Sequence, residues 1–146
     1  MEDLSTFASD FYLFLESGFI AVNQCDEDAA RKLFEAASLL DPDNPLPKVG
    51  LGYMHLHKLE IQKACDYFYA VLDKDPGNEM ANTFLGLCLT MTPDRVAKGE
   101  KLLMQSASSS DGLIKDLSNS ALRFVDSVIK KDPTPLEVKN SSTKRR

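Results

Sequence analysis

Residues 64–78 read Ala64-Cys65-Asp66-Tyr67-Phe68-Tyr69-Ala70-Val71-Leu72-Asp73-Lys74-Asp75-Pro76-Gly77-Asn78, and residues 30–44 read Ala30-Arg31-Lys32-Leu33-Phe34-Glu35-Ala36-Ala37-Ser38-Leu39-Leu40-Asp41-Pro42-Asp43-Asn44. Alanine, phenylalanine, aspartate, proline and asparagine return at a step of 34 residues. Upstream, Gly18, Gly52 and Gly86 keep the same step, as do Leu51 and Leu85. A period of this length marks stacked helical units. Each unit reads helix, turn, helix. The first helix carries the glycine, where the missing side chain lets a neighbour approach. The second starts after acids such as Asp26-Glu27-Asp28, favourable at a helix N-terminus. Its Ala30, Phe34 and Ala37 fall on one stripe. It stops at Asp41-Pro42, because proline cannot continue the hydrogen-bond ladder.

Working outward gives units at 11–44, 45–78 and 79–111. The third drifts: after the turn Met91-Thr92-Pro93-Asp94 its small and large positions become Gly99, Leu103 and Ser106. After the loop Ser108-Ser109-Ser110-Asp111-Gly112, which holds an N-cap candidate, a further helix over 112–131, with apolar residues Ile114, Leu117, Ala121, Phe124, Val125 and Val128, reads as a cap that closes the stack. Residues 1–131 thus form one domain, and 132–146, with prolines, serines and a net basic charge, read as a disordered tail.

Composition narrows the class. The chain has 146 residues, 43% of them hydrophobic, and a formal net charge of −5, which argues against coating nucleic acid. Three widely spaced cysteines suggest a reducing compartment and not a disulfide scaffold. With no basic signal segment and no long apolar run, a cytoplasmic protein that inserts in no membrane is expected. No catalytic constellation, phosphate loop, metal-ligand cluster or cofactor motif stands out. His55 and His57 point to different helix faces and cannot share a metal. An enzyme is not expected, and neither a cofactor nor a metal.

A 34-residue helix pair with Leu-Gly in its first helix, Ala-x3-Phe in its second and a closing proline resembles the tetratricopeptide repeat (TPR). Unit one supplies Gly18, Ala30, Phe34, Ala37 and Pro42; unit two supplies Leu51, Gly52, Ala64, Phe68 and Pro76. The usual tyrosine of the first helix is replaced by Ala21 and His55. The resemblance implies an all-α fold, a right-handed superhelical stack of three helix pairs plus a capping helix. It also implies a concave groove lined by the first helices. Transferred residue by residue, the groove positions are Tyr12, Leu15, Phe19, Val22, Leu46, Val49, Tyr53, Leu56, Met80, Leu87 and Met91. TPR domains that clamp a C-terminal carboxylate use lysine and asparagine there. Leu15 and Phe19 stand in two such places, so an apolar or amphipathic segment is the implied occupant.

A small acidic chain made almost wholly of such units is similar to the type III secretion chaperones. The run Gly50-Leu51-Gly52-Tyr53 through Cys65-Asp66-Tyr67-Phe68 carries that likeness. The first unit begins almost at once, closer to the needle-subunit branch than to the translocator branch. The implied function is a non-enzymatic chaperone that holds a helix or extended segment of a secretion substrate, with a small co-chaperone or a homodimer compatible with it. A TPR adaptor subunit of a larger complex is the alternative.

Overall fold

A computed structural model of the protein describes residues 3–131. The tail expected at 132–146 lies outside the described residues. Among the described residues the fold is all-α, with seven α-helices: α1 (Phe11–Asn23), α2 (Glu27–Leu40), α3 (Leu46–His57), α4 (Ile61–Lys74), α5 (Glu79–Thr90), α6 (Val96–Ser106) and α7 (Gly112–Phe124). A 3-10 helix, Leu4–Asp10, precedes α1, and a π turn, Val125–Ile129, ends α7. Units 11–44, 45–78 and 79–111 each contain two of these helices.

The recurring polar residues have a local reason. Asn44 Nδ2 donates to Asp41 Oδ2 at 3.0 Å, and Asn78 Nδ2 donates to Asp75 Oδ2 at 3.1 Å. The same asparagines accept with Oδ1 from the next helix, from Leu46 N and Ala81 N. One Asp-Pro-x-Asn turn therefore ends a helix and caps its successor. Asp26 and Asp111 cap α2 and α7, accepting from Ala29 N and Leu113 N at 3.0 and 2.9 Å.

The glycines match large side chains on the second helices. A Cβ at Gly18 would lie 2.6 Å from Phe34 Cε1, and one at Gly52 the same distance from Phe68 Cε1. Phe34 also fills the space beside Gly50, a glycine outside the 34-residue step. In unit three, Gly86 faces the Gly99 carbonyl and Leu103, so α5 and α6 meet backbone to backbone. Gly99, Leu103 and Ser106 are the buried residues of α6, as the spacing predicts. Two clusters form the core, one around Phe34 between α1, α2 and α3, and one around Phe68 and Phe84 between α3, α4 and α5.

Contacts run between successive helices and along the odd-numbered ones. α1 touches α3, α3 touches α5, and α5 touches α7. No helix among the described residues is long and apolar enough to cross a membrane.

Each turn from a first to a second helix holds one residue in the left-handed region: Cys25 (φ 61°), Leu59 (φ 58°) and Asp94 (φ 63°). None is glycine. Leu59 is the costliest of the three, since a branched side chain there loses about 1–2 kcal/mol to crowding of Cβ. It is 72% exposed and gains little burial in return. Leu59→Gly should therefore raise stability by about 0.5–1 kcal/mol, part of the gain being offset by the freer unfolded chain. Thermal unfolding checks this; a lower melting temperature would show that the leucine makes a contact worth more than its strain.

The α3–α4 turn also ties two units together. Lys58 Nζ lies 2.9 Å from Glu27 of α2 and 3.1 Å from Glu60. Buried His55, stacked on Tyr67 with ring centroids 5.4 Å apart, donates from Nδ1 to Glu60 Oε2 at 2.6 Å. That hydrogen bond and Lys58 hold the Glu60 carboxyl at about 2, below its ordinary value of 4.5. A depressed folded-state value means that the unfolded chain takes up the proton first as the solution is acidified. The stabilisation is full above pH 4.5 and is lost as pH falls toward 2. Melting temperatures of the wild type and Glu60→Gln should converge over that window. A constant gap between the two would show that the ionised carboxylate is not the source.

Candidate functional site

The first helices place the candidate groove residues in three environments. Tyr12 is exposed. Phe19, Leu46, Tyr53, Met80, Leu87 and Met91 are half-buried and pack against the two core clusters with one edge open. Leu15, Val22, Val49 and Leu56 are buried, none more than 7% exposed. These four are core residues, and no partner reaches them in this arrangement. The physical reason lies in the period. The fifth and twelfth residues of each unit are two helical turns apart and turn toward the neighbouring helices. Thr83 and Thr90 occupy the same two places in unit three and are buried as well, their hydroxyls donating to Glu79 O and Leu87 O, both at 2.7 Å.

What remains open is a narrower row built from the second and ninth residues of the units, with Met91 from the thirteenth place of unit three. Tyr53 is its centre. Its ring lies 5.6 Å from that of Phe19 and 5.2 Å from that of Phe84, so aromatic contact runs from α1 through α3 to α5. Its hydroxyl donates to Asn23 Oδ1 at 2.8 Å. Burial pushes the Tyr53 pKa up, so the hydroxyl keeps the proton it donates. Phe19 rests edge-on against Phe34, at 5.3 Å and 76°, which couples the row to the core beneath it. His57 is exposed beside Tyr53, with ring centroids 6.1 Å apart. The seven open or half-open residues include no charged side chain. Chemically the row offers aromatic faces, aliphatic groups and two polarizable thioethers, which suit apolar contact and not bond making.

The structure also exposes apolar side chains that the repeat positions do not predict. Leu13 and Ile20 of α1, with Leu4 of the 3-10 helix, are among them. The pattern of unit one marks these sites only as lying off the core stripe, and among the described residues no helix packs over them. At the other end, Leu117 of α7 packs against the second core cluster, while Phe124 and Val128 are partly open.

The cysteines divide the same way. Cys65 and Cys88 are buried against one another, and burial pushes both thiols above their ordinary value, Cys88 the further, so they stay protonated and serve as packing. Cys25 is exposed. Among the described residues no three His, Cys, Asp or Glu side chains converge to hold a metal ion. Compared with family models, with curated proteins and with solved structures, the chain matches none.

Proposed function

We propose that this protein is a non-enzymatic chaperone of the TPR type, whose three helix pairs coil into a right-handed superhelix closed by α7. The row Tyr12, Phe19, Leu46, Tyr53, Met80, Leu87 and Met91 binds an apolar or amphipathic segment of a type III secretion substrate, by preference a needle subunit, and keeps it from assembling early. The observation that supports this reading is an uncharged, half-open row on three helices, tied together by aromatic contact from Phe19 through Tyr53 to buried Phe84. A bound segment would bury the open edges of these side chains, a gain of about 25 cal/mol for each Å² of apolar surface. A cytoplasmic setting before export accords with the reading.

Leu87 is the place to test it, because it is half-buried and makes none of the hydrogen bonds that hold Tyr53. Leu87→Glu and wild type are to be recovered with their bound proteins from the native cells and compared by mass spectrometry. A secretion substrate should accompany the wild type and fall by at least about tenfold with the variant, since a desolvated carboxylate costs more than one power of ten in affinity. Circular dichroism should stay helical. Equal recovery of the substrate would reject the row as the site.

A further inference from the structure

The acidic character of this chain is concentrated at one end. Residues 1–30 hold seven acidic side chains and no basic one, whereas residues 31–131 hold thirteen of each sign. The same end exposes apolar surface: Tyr12, Leu13 and Ile20 are 61%, 58% and 56% exposed. Residues 12, 13, 16 and 20 share one face of α1, so the exposed Glu16 sits among these three side chains. Neither Asp10 nor Glu16 joins an ion pair among the described residues. Two such faces pressed together would oppose like charges. The occupant that fits carries apolar and cationic groups.

This chain contains one such segment. Residues 132–146 carry four basic side chains against two acidic ones, with Leu136 and Val138 upstream of Lys144-Arg145-Arg146. They follow α7, which touches α5 and α6, whereas α1 touches α2 and α3 at the other end of the row. A contact between segment and face inside one chain must run back along the stack. Between two chains it need not.

We propose that residues 132–146 of one copy dock on the α1 face of the next, giving a reversible head-to-tail association. The contact is heterologous, so each added copy leaves one face and one basic segment free. It draws on exposed charges, which are weak one by one and screened by salt. The association is therefore a concentrated-solution property that salt dissolves.

Sedimentation velocity of the full chain over a concentration series tests this. At about 0.05 M salt the weight-average mass should climb with concentration, and at about 0.5 M it should return to the monomer, where the screening length falls to about 4 Å. Lys144→Gln/Arg145→Gln/Arg146→Gln should weaken association at least about tenfold, and so should Leu13→Ser/Ile20→Ser, whose exposed sites leave the fold intact by circular dichroism. An equimolar mixture of the two variants should form a one-to-one pair and nothing larger, because each variant retains one working end. Three results would overturn the proposal: a wild type that stays monomeric at low salt, association that survives the basic-segment substitutions, or a mixture no more associated than its components. None of them decides the substrate row, which shares only Tyr12 with this face and which Leu87→Glu tests separately.

Discussion

Phe34→Ala should remove about 3–5 kcal/mol, the range for deleting a buried aromatic. The ring is fully buried, and it lies between Gly18 of α1 and Gly50 of α3. Glycines have no side chain to lean into the space, so the site collapses poorly and the cavity term stays large. Against a total stability of about 5–15 kcal/mol for a domain, the loss is a large fraction. The melting temperature should fall by about 10–20 °C, scaling between the values for smaller and larger domains. Urea unfolding followed by circular dichroism measures the loss directly. A cost below about 1 kcal/mol would mean that α1 and α3 close over the gap, contrary to the packing described. Because Phe19 rests on this ring, the binding proposed for the row should weaken in the same variant.

Gly50→Leu presents the opposite fault at the same contact. A side chain at 50 would enter the space that the Phe34 ring occupies. Replacing glycine by leucine inside a helix gains about 0.5–1 kcal/mol in propensity, while overpacking costs about 1–3 kcal/mol or more. The steric cost wins, and the variant should be destabilised. Gly112 at the start of α7 has no atom within 4 Å of a Cβ, so Gly112→Ala serves as the control that shows the propensity gain alone. The double variant Gly50→Leu/Phe34→Ala should recover part of both losses, a coupling of about 0.5–3 kcal/mol for groups in contact. Strict additivity of the two losses would show that leucine at 50 and the Phe34 ring do not compete for the same space.

Much of this was legible in the letters of the chain. The helix boundaries follow from Asp-Pro-x-Asn turns and acidic N-caps, which act locally and therefore leave a local signature. The core pairs follow from the period of Gly18 with Phe34 and Gly52 with Phe68. The line between core and row was not legible. Val49 and Tyr53 lie four residues apart on one helix, both apolar, and the choice of which is buried depends on where α1 and α5 press against α3. Thr83 and Thr90 held the clue, since small hydroxylated residues that can bond their own helix suit a tightly packed flank better than an apolar wall. Gly50 was likewise silent as a packing site, because its partner Phe34 belongs to the preceding unit. The 3-10 helix over Leu4–Asp10 has no period to announce it.

Burial is uneven along the row of helices. Eight of the twelve residues of α5 are buried, against five of thirteen in α1 and three of thirteen in α7. Among the odd-numbered helices, which carry the row, burial is deepest in α5, so local opening is dearest there. Met80 and Leu87 therefore ride on the most deeply buried helix, while Tyr12 rides on a less buried one. A segment held along the row as proposed would come away from the α1 end while its grip on α5 lasts, so that letting go would be a sequence of small steps and not a single rupture.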